Sequence, residues 1–434
     1  MSTIGTTPPT PDTETPKYDP EGFFTPATIR HNMKVLILLE AILMTGSQDL
    51  MVALQPLLDY LTESYKLIGF VLGLTWTGVL GAILIPYISR RFAYKKWLYI
   101  TVSVLWALPL LILGTALVAA PLYNPTTRML LILTVVLMFI FQMLAGFTYI
   151  PHNEFLASCI PPSHRGRMYG ISSTLYAVLS LGAIALGGYL IKVLDEPQSF
   201  GYVFLMTAGI WLVGYALATS AREKRTPVEN SPKPWTGAMF RELLRTRGYI
   251  RFLIFSIVYN MTVTPIFVLL PNYGLKELNM PPHAVAIIQG IGQAVIIITS
   301  APSGWLIDRL TPKKVVPVSL IITGVGFLIC FFLFNAWSIY VSYAVIRIAM
   351  AAINPSTTIL AVSIPKPEHR AGLFAVQSLI GMLSYGIGPM VAGAISDIIA
   401  PRTILLIIGV FSIAFCFATK SLFRPLGDRP QDYY

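Results

Sequence analysis

The chain has 434 residues, 55% of them apolar and only 12% charged, with 31 Lys and Arg against 20 Asp and Glu for a formal charge of +11. Its mean hydropathy is +0.68. So little polar surface excludes a water-soluble globule and points to a membrane protein.

The first 28 residues are rich in Pro and Thr and lack a basic start followed by an apolar run. They read as a disordered arm and not as a signal or transit peptide. Windows of about 20 apolar residues, the length that crosses the hydrocarbon core, then predict twelve helices. They fall at 33–60, 68–89, 97–119, 129–158, 168–194, 201–220, 248–275, 283–307, 314–335, 337–363, 371–397 and 402–422. The expected fold is all-α: six-helix bundles at 29–220 and 248–422, a charged linker at 221–247 and a tail at 423–434. Within the linker, Met239, Phe240, Leu243 and Leu244 share one helical face opposite Arg241, Arg245 and Arg247, as an interfacial helix or a surface strut would.

If the arm is cytoplasmic, the even-numbered connections and both tails hold 25 Lys and Arg, and the other side holds five: Lys66, Arg128, Lys192, Lys276 and Arg402. Basic residues flanking membrane helices stay cytoplasmic, so both termini are expected inside, in the plasma membrane. The charge is therefore topology, and nucleic acid is not an expected partner. Cys159, Cys330 and Cys416 fall in apolar spans with no metal-ligand spacing and read as packing; no metal, cofactor or enzymatic cluster is expected. No G-x-x-x-x-G-K-[ST] loop is present to bind ATP.

The two halves are related. At a spacing of 204, Pro151, Leu156, Ala157, Ile160 and Pro161 return as Pro355, Leu360, Ala361, Ile364 and Pro365. After a one-residue shift, His164, Arg165, Ser173 and Gly188 return as His369, Arg370, Ser378 and Gly393. In so apolar a chain, paired halves point to a transporter with its site between them near the bilayer midplane.

The basic loop after helix 2 also has a counterpart after helix 8: Pro86, Arg90, Arg91, Lys95 and Lys96 align at a spacing of 218 with Gly304, Asp308, Arg309, Lys313 and Lys314. Here the chain resembles the major facilitator superfamily, whose loop signature is G-x-x-x-D-R-x-G-R-K. Gly304, Asp308, Arg309 and Lys313 match it, Thr311 and Pro312 depart from it, and Arg90 stands where the first-half Asp would be. The resemblance implies a cytoplasmic latch of Asp308 and Arg309, with Lys313 and Arg91 beside them. For Arg90, Arg91, Lys95 and Lys96 the plainer reading is charge that enforces topology.

Charged side chains inside the bilayer cost at least ~2.5–3.5 kcal/mol and normally face a cavity or a partner. Arg347 and Asp49 both lie roughly 15 Å from the outer ends of helices 10 and 1, at 1.5 Å per residue. Tyr340, Tyr343, Arg347, Asn354 and Thr358 share one face of helix 10, and Gln142, Gly146, Tyr149 and Asn153 one face of helix 4. Helix 7 adds Asn260, helix 8 Gln289 and Gln293, and helix 11 Gln377; these uncharged residues fit cavity lining or helix-to-helix bonding. The resemblance implies that helices 1, 4, 7 and 10 line the central cavity. Glu40 and Asp49, nine residues apart, lie on opposite sides of helix 1 unless it bends at Gly46. Depth favours Asp49 for proton coupling, with Glu40 and Glu154 nearer the cytoplasm; His152 reads as a structural hydrogen-bonding residue. Pro151, Pro355 and the Gly386 to Gly393 stretch are expected bending points.

The function these residues support is a monomeric secondary transporter that takes up a small polar or anionic solute by alternating access, with Arg347 holding the solute and Asp49 carrying a proton or pairing with Arg347. The alternatives are an exporter of amphiphilic compounds and, last, a sensor without turnover. Drug/proton exporters in the superfamily carry Gly-Pro on helix 5, where this chain has Gly187 and Gly188; its Gly388-Pro389 lies on helix 11.

Overall fold

The computed structural model describes residues 22–89, 91–225, 249–363 and 370–422. Among them no strand occurs, and twelve long helices run alternately up and down. They are α1 Pro26–Leu61, α2 Tyr65–Ser89, α3 Lys95–Val118, α4 Thr127–Cys159, α5 Pro162–Val193 and α6 Gln198–Ala218 in the first half. The second half holds α7 Tyr249–Glu277, α8 Ala284–Leu310, α9 Pro312–Phe332, α10 Ala336–Ser363, α11 Arg370–Ser396 and α12 Pro401–Leu422. The expected arm's first 21 residues and the whole candidate interfacial helix lie outside the described residues.

The starts of these helices follow local chemistry. Thr25, Ser64 and Thr126 accept the backbone N–H three residues on, at 3.2, 3.3 and 3.2 Å, satisfying an otherwise orphaned donor. Pro26, Pro162, Pro312 and Pro401 occupy first turns, where no N–H is needed. The interruptions have causes too. Helix α7 breaks between Val263 and Ile266, where Pro265 has no N–H to give and Thr264 bonds back to the Asn260 carbonyl through its amide at 2.9 Å and its hydroxyl at 2.7 Å. Helix α2 tightens into a 3₁₀ turn at Leu74–Thr77. By contrast α1 runs unbroken past Gly46, because a Cβ there would lie 2.6 Å from Trp211 Nε1: this glycine serves close packing and not a bend.

Each half has its own apolar core. In the first, Trp106, Trp211 and Phe141 form a mutually stacked trio with ring centroids 4.4 Å (Trp106–Trp211), 5.1 Å (Trp106–Phe141) and 5.8 Å (Phe141–Trp211) apart. In the second, Phe415 stacks on Phe255 and Phe411. The halves meet along two seams, α2 against α11 and α5 against α8. Large apolar residues such as Val178, Ile298 and Phe417 remain exposed on the outside, as expected where acyl chains are the solvent.

Candidate functional site

Helix α10 brings Arg347 into the protein interior at 7% exposure. Its guanidinium carbon lies 5.7 Å from the centroid of the Tyr343 ring one turn away, within cation–π range. The close approach of α8 here depends on Gly292: a Cβ on it would stand 3.0 Å from Arg347 Nε and overlap the Tyr343 ring. Tyr343 donates its hydroxyl hydrogen to Gln289 Oε1 at 3.0 Å, and Tyr176 of α5 donates to Gln293 Oε1 at 3.2 Å. Two buried donors, Arg347 Nε and Gln293 Nε2, find no acceptor. No ion pair involves Arg347 among the described residues. A cavity of about 390 Å³ opens beside it, lined by Ile296, Ser300, Met350, Ala351, Asn354 and Pro355. A mostly apolar cavity wall that carries a buried, unneutralised cation favours a ligand that supplies acceptors and negative charge.

Other candidates are committed elsewhere. Asn354 accepts from the Tyr259 hydroxyl at 3.1 Å while still facing the cavity, and Asn260 donates to Ser384 Oγ at 3.2 Å. Gln377 is half-buried, its Oε1 without a donor. On α4, Gly146 packs against the Gly78 backbone of α2, Gln142 is half-buried and Tyr149 is 48% exposed. Tyr340 stacks edge-on with Trp337 at 5.9 Å, a turn nearer the helix end than Tyr343 and away from the cavity.

The three acids go to three places. Asp49 is fully buried within the first half, where Thr207 of α6 donates to Oδ2 at 3.1 Å. Its Oδ1 has no donor and faces α5 at Gly187, where a Cβ would come within 2.7 Å. The pairing of Asp49 with Arg347 is thus not formed in this conformation, because the carboxyl points toward α5 and α6. Glu40 turns to α4, with His152 Nε2 3.1 Å from Oε1 though out of line for a hydrogen bond. Glu154 receives Ser89 Oγ–H and lies 3.6 Å from Lys95 Nζ.

Lys95, read from the sequence as topology charge, is held in a buried ion pair. It is 2% exposed, and its ammonium also donates to the Ser89 carbonyl at 2.6 Å. Glu223, which the sequence did not single out, caps α3 from a distance: it accepts from the amides of Lys95 at 2.6 Å and Lys96 at 3.0 Å and from Ser158 Oγ at 3.2 Å. Burial still outweighs these bonds and raises its carboxyl above the ordinary value of 4.5. Of the expected latch, Arg309 lies over the Trp305 ring at 4.1 Å and Arg91 is exposed. Lys313 is half-buried; Arg90 and the Asp308 side chain lie outside the described part of the structure.

Away from the termini the halves are sealed. Lys276 of α7 pairs with Asp59 at 3.1 Å and donates to the Thr62 carbonyl at 3.0 Å. Asp397 accepts from Ser64 Oγ at 2.8 Å and from the Lys66 amide at 3.3 Å, and Gln55 donates to the Phe267 carbonyl. Glycines carry the seams: a Cβ on Gly69 would stand 2.5 Å from Pro389 O and 2.9 Å from Gly393 Cα, and one on Gly188 2.5 Å from Ala286 Cβ. Gly188 and Gly393, the pair repeated in sequence, therefore occupy equivalent seams. The other signal was Lys276, one of few cations on its side. Every cross-half hydrogen bond and ion pair between described residues lies from mid-depth to this end.

A family model described as Major Facilitator Superfamily matches residues 36–292 and 264–432. No curated protein matches the chain. Among solved structures, it is similar to a point mutant of the nucleoside transporter NupG, with a TM-score of 0.72 at 14% identity over 90% of this chain and 99% of that one. A bacterial homolog of the human lysosomal transporter Spinster, inward-facing and unoccupied, gives 0.67 at 16% identity over 92% and 98%. A D-xylose-proton symporter gives 0.63 at 14% over 89% and 96%.

Proposed function

Since the chain belongs to the Major Facilitator Superfamily and is a multi-pass membrane transporter, we propose that it takes up a small polar or anionic solute, coupled to protons, by alternating access. The observation that carries the solute class is Arg347, a buried cation with no acid paired to it among the described residues, beside a cavity between helices. A neutral greasy cargo would leave that charge uncompensated. Gln293 Nε2 and Asn354 are the nearby groups suited to hold the rest of the solute. The seal away from the termini, with the positive-inside bias, supports a cytoplasm-facing state of a plasma-membrane protein whose termini are both inside. Proton coupling is assigned to Asp49, whose buried carboxyl has one hydrogen-bonded and one free oxygen. Transporters of nucleosides and of D-xylose with protons share the fold, which leaves the cargo to the site itself.

The test is thermal stabilisation of wild type and Arg347→Ala against sugars, sugar acids, carboxylates and phosphates; a ligand at 100 times its Kd adds ~2.7 kcal/mol. Anions that stabilise only the wild type identify the class. Equal stabilisation of both proteins by neutral or amphiphilic compounds overturns the assignment and favours an exporter.

A further inference from the structure

We propose that a groove between the first turns of α1 and α5 holds the headgroup of an acidic phospholipid from the leaflet on the side of the termini. The groove, of about 490 Å³, has a basic rim of Arg30, Lys34, Arg167 and His164. Its apolar floor is Ile29, Met33, Ile37 and Ile171. Arg30, Lys34 and Arg167 are exposed, and none of them makes an ion pair or a hydrogen bond among the described residues. Among the described residues His164 hydrogen-bonds only the neighbouring Ser163 hydroxyl, at 3.0 Å. Three cations from helices more than a hundred residues apart thus converge on one groove whose described lining holds no acid, which topology alone does not require.

Depth and direction identify the occupant. Arg30 and Lys34 lie four and eight residues into α1 and Arg167 five into α5, the level at which a helix leaves the headgroups for the acyl chains. Each cation heads an outward stripe: Arg30, Lys34 and Leu38 at spacings of four on α1, and Arg167, Ile171 and Val178 at four and seven on α5. Leu38 and Ile171 are each 43% exposed and Val178 66%, so an exposed apolar stripe continues from each cation. A phosphate on the rim and a chain along Ile37 and Ile171 use both parts of the groove, whereas a free anion leaves the apolar floor uncovered. Basic pockets between membrane helices recognise such lipids.

The full-length protein is placed in phosphatidylcholine nanodiscs with or without phosphatidylglycerol; native mass spectrometry counts retained lipid and a thermal scan measures stabilisation. Each cation that lines the groove is worth roughly fivefold in binding a lipid seated there, so the variant with Arg30→Gln, Lys34→Gln and Arg167→Gln binds phosphatidylglycerol about a hundredfold more weakly. Arg167→Gln alone loses about fivefold, should the triple variant fold poorly. Arg309→Gln, at the same end of the bundle, keeps wild-type retention. Equal retention by wild type and the variants overturns the proposal. Stabilisation by inorganic phosphate as strong as by the lipid overturns it in favour of a soluble anion. Gain of lipid on changing Asp12→Asn, Glu14→Gln, Asp19→Asn and Glu21→Gln overturns it in favour of the acidic arm as occupant.

Discussion

Adding one methyl group at Gly69 is expected to open the sealed end of the transporter. A Cβ there would sit 2.5 Å from Pro389 O and 2.9 Å from Gly393 Cα, both backbone atoms that no rotamer change can move. Ordinary contacts begin near 3.5 Å, so α2 and α11 must separate by roughly 1 Å. Overpacking of this kind costs about 1–3 kcal/mol, and here only the conformation closed at this end bears it. At about 2 kcal/mol the ratio of open to closed molecules rises roughly thirtyfold. The reporter is Met390→Cys, whose side chain packs on Gly73 within the same seam, read by the rate of reaction with a membrane-impermeant maleimide. The native Cys159, Cys330 and Cys416 are buried. Gly182→Ala is the control, since a Cβ there meets nothing within 4 Å. Labelling that is no faster in Gly69→Ala than in Gly182→Ala would refute the argument that this contact holds the end shut.

Asp49→Asn should abolish solute accumulation driven by a proton gradient while sparing solute exchange; accumulation at the wild-type level removes Asp49 from coupling. Lys95→Met leaves Glu154 with only the Ser89 hydroxyl and should cost about 2 kcal/mol by thermal unfolding, less than a fully buried pair because Glu154 is partly exposed; adding Glu154→Gln should recover part of the loss. Gly292→Ala pushes on Arg347 and Tyr343 and should weaken solute binding more than it lowers stability, measured by ligand-dependent thermal shift. Glu223 titrates above its unfolded value, so its folded state favours the protonated form: its contribution is full below about 4.5 and is lost as pH rises through the raised value. The stability of wild type relative to Glu223→Gln should therefore fall over that window, and a gap that widens in favour of wild type with rising pH contradicts it.

Twelve spans and two related halves were legible because hydrophobicity summed over about 20 residues is a strong signal that no neighbour can cancel. Partners were less so. Asp49 and Glu154 look alike in sequence, each an acid in an apolar window, yet one meets a hydroxyl 158 positions on and the other a loop lysine. Tyr340 shares the helical face of Tyr343 and Arg347, but a face fixes direction and not depth, and a single turn takes it out to Trp337. Thr207, Glu223 and Asp397 carried no local mark, since each acts only through a residue distant in the chain. The repeated Gly188 and Gly393 show what does survive in sequence: a packing demand imposed twice, once at each seam, by the same two-fold arrangement. Arg347 is the opposite case, a charge in one half that has Met143 as its counterpart at the repeat spacing of 204. Where the halves share a requirement they share a residue, and the position at which only one half bears a buried charge is the position at which the pseudo-symmetric frame gives way to an asymmetric solute.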